Sequence, residues 1–371
     1  MKKNLLLLGL MLISTASFAQ TPASTNISGA KYPAIYPDNS VEFRIKAPEA
    51  QSVIADIGNK YKMTKGEDGV WSVKTDPQGS GIHYYSLIID GVSVNDPGSE
   101  TFFGCSRMMS CIEIPYKDAP QYEVQNVPHG DIRTVRYFST VTKSWRQMYI
   151  YTPAGYDKNV STRYPVIYIM HGGGEDARGW VQQGRSDIIL DNLAAAGKAP
   201  KMILVSFDAN VGGFGKDGPI EDEIMKNVVP FVDKNYRTIP TATKRALAGL
   251  SMGGIFTLQV GIPRSSFFEY LGVFSSGFFA GKNPFGGNGD NMAENSYQYL
   301  EKNKETFNKN MKLFWVGIGG KSDIAYQNNQ IMRDRLDKIG IKYTFIDHKE
   351  GGHTWPVWRE DLYMFAQKIF K

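Results

Sequence analysis

The chain has 371 residues, of which 42% are hydrophobic, 12% aromatic and 21% charged. This balance is that of a soluble globular protein and excludes a disordered, collagen-like or coiled-coil chain. Its 42 Lys and Arg against 37 Asp and Glu give a net charge of +5, without the basic clusters that nucleic acids attract. At roughly 150 residues per domain, the length predicts two or three domains.

Residues 1–19 have the pattern of an export signal. Lys2 and Lys3 precede an apolar run from Leu5 to Ile13, and small residues lead to Ala19, after which we expect cleavage. The apolar run is too short to cross a hydrocarbon core of roughly 30 Å. We therefore expect a mature chain that is periplasmic or secreted and not bound to a membrane, in an oxidising compartment.

The two cysteines, Cys105 and Cys111, lie close together in the sequence. In an exported protein such a pair predicts a local disulfide, worth about 2 kcal/mol because a short loop loses little chain entropy. A metal site is not expected here, since such sites use about four ligands and no histidine cluster is near.

Residues 24–118 predict an all-β domain. Short runs of alternating polar and apolar residues, such as Val41–Ile45, Ser52–Ile57, Val70–Val73 and His83–Ile89, are separated by turn sequences rich in Gly, Asp and Pro. Alternation with such breaks is typical of an antiparallel β-sandwich. Residues 119–128, which are polar and contain prolines, predict a linker to the next domain.

Residues 129–371 predict a second domain in which strands alternate with helices. This order favours a mostly parallel sheet with helices on both faces. The predicted strands are 165–170, 201–206, 245–248, 271–275, 313–316 and 343–346, and the clearest helices are 221–236, 325–339 and 358–370.

A nucleophile elbow is predicted at Gly249-Leu250-Ser251-Met252-Gly253, which follows an apolar strand and precedes a helix. The glycines serve the sharp turn, because side chains there would collide with the neighbouring strand and helix. The motif alone is weak, but the strand, turn and helix context makes Ser251 the predicted nucleophile.

A nucleophilic serine needs a general base, which in the chain order of α/β-hydrolases is a late histidine. His353 lies in a glycine-containing loop before the last helix, whereas His348 ends the last predicted strand. We predict His353 as the base and His348 as a structural residue.

The base needs a carboxylate partner that holds its tautomer. Asp323 follows a buried strand and a glycine-rich turn, between the serine and the histidine, and is the predicted partner. Asp347, on the final strand, is the alternative. Asp334 and Asp337 belong to a predicted helix and are expected to be solvated.

The oxyanion of the tetrahedral intermediate needs two fixed N–H donors. The N–H of Met252, at the helix start, and that of Gly173, in the glycine loop after strand 165–170, are the predicted donors. We expect His171 and Gly172, in the same loop, to line the substrate site.

The second domain resembles the feruloyl and acetyl-xylan esterases of carbohydrate esterase family 1. The matching stretches begin at residues 130–139 and 146–156, continue through 171–174, 230–237 and 249–254, and end at 353–359. The resemblance implies an α/β-hydrolase fold, the triad Ser251, Asp323 and His353, and Gly173 and Met252 as oxyanion donors.

The first domain resembles, more loosely, the immunoglobulin-like module of carbohydrate-binding family 48 that precedes such esterases. Trp71, Tyr84 and Tyr85 are candidates for stacking on sugars, but a tryptophan on an alternating strand is more often core. A glycan-binding module and a spacer both remain open.

The expected reaction is acyl transfer to Ser251 followed by hydrolysis, with no metal or organic cofactor. Plant cell-wall polysaccharide esters such as arabinoxylan are the expected substrates, and the sequence leaves the oligomeric state open. The alternatives are a siderophore esterase, an acyltransferase and a non-catalytic glycan-binding protein. Flat apolar side chains suit a phenolic acyl group or a sugar ring, and the predicted pocket residues are Trp180, Phe278, Phe279 and Trp355.

Overall fold

The computed structural model describes residues 20–212, 219–278, 289–349 and 351–371. The predicted export signal, residues 1–19, and Phe279 lie outside the described residues. No helix in these ranges is long and apolar enough to span a membrane.

The N-terminal part of the chain is all-β, as predicted. One sheet has the strand order β1-β2-β3-β7-β6, and the other has the order β10-β11-β8-β4-β5 with β9 also paired to β8. The bounds are β1 Thr21–Pro22, β2 Ala34–Ile35, β3 Val41–Lys46, β4 Val53–Ile57, β5 Asn59–Lys62, β6 Thr64–Lys65, β7 Val70–Lys74, β8 Gly81–Ile89, β9 Val92–Val94, β10 Thr101–Gly104 and β11 Arg107–Ile114.

The core of this part lies between the two sheets. Phe43 and Trp71 from the first sheet cluster with Ala55, Tyr85 and Leu87 from the second. The Trp71 ring is buried and its indole N–H donates to the carbonyl of Ala47. The core interpretation of Trp71 is therefore confirmed, and Tyr85, a candidate for stacking on a sugar, is buried as well and cannot serve in that role.

The predicted disulfide between Cys105 and Cys111 is wrong. Both cysteines are present as thiols, and they lie on a β-hairpin rather than in a compact loop. Cys105 and Ser106 form its two-residue turn, both with positive φ, and Cys111 lies four residues into the return strand. A strand rises about 3.3 Å per residue, which places the two Cα atoms well beyond the roughly 7 Å that a disulfide spans.

The second part carries the eight-stranded sheet in the order β12-β13-β15-β14-β16-β17-β18-β19. The pairs β12–β13 and β13–β15 are antiparallel and the remaining five pairs are parallel, so the predicted α/β architecture is confirmed and the sheet is mixed. The strands are β12 Asp131–Ser139, β13 Ser144–Thr152, β14 Val166–Met170, β15 Ile203–Phe207, β16 Arg245–Leu250, β17 Tyr270–Phe274, β18 Leu313–Ile318 and β19 Thr344–Asp347.

Helices cover both faces of this sheet. Alternate residues of β14 show why: Val166, Tyr168 and Met170 join one core cluster, whereas Ile167 and Ile169 join the other. A strand buried on both faces is apolar throughout, as this one is. The α-helices are α1 Ser186–Ala195, α2 Pro219–Asp222, α3 Val229–Asn235, α4 Met252–Gly261, α5 Gly289–Asn310, α6 Tyr326–Ile339 and α7 Trp355–Ala366, with a π-helical turn Glu223–Val228 between α2 and α3.

The chain divides into two compact units at places that the sequence did not indicate. Residues 80–84, 101–111 and 115–371 form the second unit, so the tip of the β10–β11 hairpin groups with the eight-stranded sheet. The predicted linker also belongs to this unit. The side-chain amide of Asn192 donates to the carbonyls of Gln121 and Glu123, and the Arg185 guanidinium donates to that of Tyr122.

Candidate active site

Ser251 lies in a strained turn between β16 and α4. Its backbone has φ 50° and ψ −116°, a combination that non-glycine residues rarely adopt. The flanking glycines permit it: a Cβ on Gly249 would come within 2.4 Å of the Gly253 backbone, and one on Gly253 within 2.6 Å of the His171 carbonyl oxygen. The local sequence therefore folds as the nucleophile elbow that it predicts.

His353 and Asp323 are hydrogen-bonded to each other. Asp323 follows β18 and His353 follows β19, and the histidine Nδ1 lies 2.8 Å from the Asp323 Oδ1. Since β16, β17, β18 and β19 are neighbouring parallel strands, Ser251, Asp323 and His353 all lie at the carboxyl edge of one sheet. The Asp323 side chain is fully buried, whereas the His353 side chain keeps 17% of its surface exposed.

The Asp323 carboxylate is held by several donors. The backbone N–H of Gly319 donates to its Oδ2, and that of Ala325 donates to its Oδ1. Burial by itself would raise the pKa of Asp323, but its hydrogen bond with His353, the polar groups of Ser275 and Ala325 and the charge of His353 outweigh burial and lower it. The carboxylate is therefore ionised at neutral pH and accepts the Nδ1–H of His353, which leaves Nε2 as the basic nitrogen.

The glycine loop after β14 lies beside Ser251. A Cβ on Gly172 would approach the Cβ of Ser251 to 3.4 Å. The N–H of Gly172 donates to the Glu175 carboxylate, and its carbonyl accepts from the His171 Nδ1. Because the peptide is planar and trans, the N–H of Gly173 points away from that carbonyl. Gly173 is exposed, with open space around it.

His171 does not line a substrate pocket, contrary to the prediction. Its ring is completely buried, and its Nε2 contacts Asp208 at 3.2 Å and the backbone N–H of Ala209 at 3.0 Å. With Nδ1 on the carbonyl of Gly172, both ring nitrogens are used inside the protein. His171 therefore orients the loop and has no polar atom left for a ligand.

The prediction that Trp180, Phe278 and Trp355 line the substrate pocket is also wrong. Trp180, Phe278 and Trp355 are each at most 3% exposed. Trp180 donates its indole N–H to the carbonyl of Met170 and packs edge-on against Trp355, while Phe278 packs against Tyr297. These rings therefore belong to the core. The sequence could not show this, because only a tertiary structure reveals which faces of an aromatic side chain are covered.

Glu175 is a residue of the site that the sequence did not reveal. Its buried carboxylate accepts from the N–H of Gly172 and from the Trp355 indole N–H, 3.0 Å away, and it interacts electrostatically with His353. Burial raises the pKa of Glu175, and these partners offset only part of that effect. Glu175 thus ties the glycine loop to the start of α7, directly after the histidine loop.

Replacing Glu175 by alanine is expected to lower kcat about a hundredfold with a smaller change in KM. The variant leaves two buried donors without an acceptor, and small displacements of a catalytic loop cost rates of this size. Glu175→Gln keeps one acceptor oxygen and should recover part of the loss. Steady-state kinetics of both variants and of Trp355→Phe, which removes only one donor, test this; equal kcat in Glu175→Ala and wild type would contradict it.

His348 belongs to a structural network, as predicted. Its Nε2 donates to Asp361, which also accepts the indole N–H of Trp315, and its Nδ1 lies 3.4 Å from Glu360. Burial by itself would lower the pKa of His348, but hydrogen bonds and charges from Asp361 and Glu360 raise it to about 10. A histidine so held is protonated at neutral pH and cannot serve as a general base.

The interaction of His348 with Asp361 and Glu360 should make the free energy of unfolding depend on pH. A group whose pKa rises on folding stabilises fully below its unfolded value of 6.5, and the stabilisation is lost as the pH rises through about 10. We expect His348→Gln to lower the free energy of unfolding most at pH 6, and by a shrinking amount towards pH 10. Urea unfolding of both proteins at several pH values tests this; a deficit that grows with pH would contradict it.

The described ranges contain no group of three or more His, Cys, Asp or Glu side chains arranged to hold a metal ion. The site does contain a strained serine after a strand, a glycine loop beside it and an Asp–His pair at the same edge of the sheet. Together these elements define an α/β-hydrolase.

The chain belongs to the Esterase family, whose model matches residues 139–368. It is 34% identical over 366 residues to the "Endo-1,4-beta-xylanase/feruloyl esterase" of Xylanibacter ruminicola, an alignment that covers 94% of this chain and 47% of that protein. The chain thus spans about half the length of this relative.

Two solved structures extend the comparison. A ferulic acid esterase superposes with a TM-score of 0.59 at 26% identity, covering 66% of this chain and 100% of the other. The enterobactin esterase of Shigella flexneri superposes with a TM-score of 0.66 at 16% identity, covering 88% of this chain and 92% of the other. The second likeness is one of fold alone.

Proposed function

We propose that this esterase is a serine carboxylic ester hydrolase that removes feruloyl or acetyl groups from plant cell-wall polysaccharide such as arabinoxylan. The observation that carries the proposal is the His353–Asp323 hydrogen bond at the same sheet edge as the strained Ser251. The relative named as a feruloyl esterase, which aligns with 94% of the chain, supports the choice of substrate.

In the proposed mechanism, Ser251 attacks the ester carbonyl carbon while the Nε2 of His353 takes its proton. The N–H groups of Met252 and Gly173 stabilise the oxyanion. The protonated His353 then gives its proton to the departing sugar oxygen as the C–O bond breaks, leaving an acyl-serine. Water, deprotonated by His353, attacks this ester, and Ser251 regains its proton as the free acid leaves.

A panel of esters tests the substrate class. Methyl ferulate, acetylated xylan and a catecholate siderophore ester are incubated side by side with the wild-type protein, before and after treatment with an organophosphate that labels active serines. We expect turnover of at least one of the first two esters, loss of turnover after labelling, and the label on the peptide that contains Ser251. No turnover of any ester, or a label elsewhere, would overturn the proposal.

A siderophore ester is the second candidate, because the fold of the enterobactin esterase covers 88% of this chain. A catecholate siderophore is anionic and calls for unpaired cations around the site. Two arginines near the glycine loop are instead neutralised: Arg178 binds both oxygens of Asp176, and Arg146 contacts Asp208 at 3.3 Å. This pairing favours an uncharged polysaccharide ester.

We also propose that the N-terminal part of the chain is an immunoglobulin-like module of the carbohydrate-binding type. Two antiparallel sheets around a shared core support the architecture. Because Trp71 and Tyr85 are buried and the Tyr84 hydroxyl accepts from Gln183, a sugar-binding role would use other side chains. The alternative, a spacer, fits the same sheets.

Export is proposed from residues 1–19. A short basic start, an apolar run and small residues before Ala19 support a cleaved signal. N-terminal sequencing of the protein recovered outside the cytoplasm should begin at Gln20. Recovery only in the cytoplasm, with the N-terminal residues retained, would contradict this proposal.

A further inference from the structure

A polar groove lies at the same sheet edge as Ser251, beyond the glycine loop. It has a volume of about 430 Å³ and is lined by residues of three segments: the start of β13, the residues directly after Glu175, and the residue directly after β15. Its lining includes Trp145, Arg146, Gln147, Asp176, Arg178 and Asp208.

Sheet topology gives the position of the groove relative to Ser251. Strand β13 is antiparallel to β15, with Met148 opposite Phe207, so the first residues of β13 lie at the edge where β15 ends. The strands β14 and β15 separate β16 from β13. At about 4.8 Å per strand, the groove lies roughly 15 Å from Ser251 across the sheet, a few sugar rings away.

The charges in the groove are paired with each other. The Arg178 guanidinium makes two hydrogen bonds to the Asp176 carboxylate through Nε and a third through Nη2. The Arg146 guanidinium donates to the carbonyl of Asn210 and forms an ion pair with Asp208. The groove therefore offers many hydrogen-bonding groups without an excess of either charge, which fits an uncharged, hydroxyl-rich ligand better than an anion or a cation.

An exposed aromatic pair borders the groove. Trp145 is 71% exposed and Phe138 is 48% exposed, although they lie opposite each other on β12 and β13 and contact edge to face at 5.9 Å. The cross-strand contact leaves most of the indole surface in water. A large aromatic side chain kept in solvent beside polar groups marks an interaction site, because its flat apolar face packs on the C–H face of a sugar ring.

We propose that this groove binds the polysaccharide backbone of the ester substrate, with Trp145 stacking on a sugar ring and Gln147 donating to its hydroxyls. The ligand class is a neutral β-linked pentose chain of the xylan type, reaching from the ester at Ser251 along the sheet edge. This inference rests on the proposed polysaccharide esterase function for its choice of sugar. The groove then holds sugar rings of the polysaccharide that carry no acyl group, while the acyl group itself lies at Ser251.

Binding of an ester-free probe separates the groove from catalysis. Linear xylohexaose is titrated calorimetrically into the full-length wild-type protein and into Trp145→Ala, Trp145→Phe and Gln147→Ala. Truncating a central tryptophan at a binding site commonly costs more than about fivefold in affinity. We expect such a loss for Trp145→Ala, an intermediate loss for Trp145→Phe, and weaker binding for Gln147→Ala. Val160→Ala, at another exposed apolar side chain, should bind as the wild type does.

Kinetics provide the second readout. The ratio of kcat/KM on a feruloylated arabinoxylan fragment to kcat/KM on methyl ferulate should fall about fivefold in Trp145→Ala, through KM. Absence of xylohexaose binding by the wild type, or equal binding and equal ratios in all variants, would overturn the groove assignment while esterase activity persisted. Failure of the wild type to hydrolyse either ester would instead overturn the proposed function, and xylohexaose titration would still decide the groove.

Discussion

Replacing Ser251 by alanine is expected to lower kcat on methyl ferulate by about six orders of magnitude. Losses of this size follow removal of the nucleophile of a serine hydrolase, since the base and the oxyanion donors then have no attacking oxygen to act upon. Binding should persist, because alanine keeps the Cβ that lies beside Gly172. The measurement is kcat and KM from rates over a range of substrate concentrations. The acyl-enzyme burst, which the wild type should give and the variant should lack, is measured as well.

Ser276 provides the matched control for this prediction. Its hydroxyl donates to the carbonyl oxygen of Ser251 at 2.7 Å, so Ser276→Ala removes a support of the turn without removing the proposed nucleophile. We expect a loss of about tenfold or less, since a single hydrogen bond of this kind contributes about 1 kcal/mol. A Ser251→Ala variant with activity within a hundredfold of the wild type would show that another residue attacks the ester.

The placement of Ser251 could be predicted from sequence because the signal is local. The glycines at 249 and 253, the apolar strand before them and the helix after them are neighbours in the chain. Gly249 meets a steric requirement within the turn, and Gly253 meets one set by the end of the adjacent strand β14. Asp323 and His353 could be predicted from topology, since each follows a strand that ends at the same edge.

There is a physical reason why the hairpin at residues 101–114 could not be predicted. Two-residue hairpin turns favour Asn or Gly at their central positions, where φ is positive, and this turn uses Cys105 and Ser106. The backbone N–H of Ser106 donates to the carbonyl of Gly174 at 2.8 Å, a tertiary contact that no sequence pattern encodes. Without the turn signal, the two cysteines suggested a closed loop.

Glu175 escaped prediction because a carboxylate after a glycine loop is ordinarily solvated. Its burial depends on donors from distant parts of the chain, the indole of Trp355 above all. The same holds for Trp180 and Phe278, whose apolar faces suit a pocket and a core equally well. For such residues composition and spacing carry no information about which partner covers the side chain.

The carboxylate of the proposed triad yields the second large effect: Asp323→Asn should lower kcat by about four orders of magnitude. The carboxylate accepts from the N–H groups of Gly319 and Ala325 and from His353, so all its partners are donors. An asparagine in the same place presents an amide nitrogen to at least one of them and no longer stabilises the imidazolium; in serine proteases the same change selects the wrong tautomer. Asp347→Asn, at an exposed carboxylate on β19, is the control.

Its pH dependence has a definite sign. The pKa of Asp323 lies below its ordinary value of 3.8, so the ionised form stabilises the fold above that value, and the stabilisation is lost as the pH falls through the lower folded pKa. The unfolding free energy of Asp323→Asn should therefore trail that of the wild type at pH 5 and above, where the carboxylate is ionised, and by less below pH 4. If Asp347→Asn lost activity instead, or if Asp323→Asn kept more than a tenth of wild-type kcat, the partner of His353 would be a different carboxylate, and the bond seen at 2.8 Å would serve structure alone.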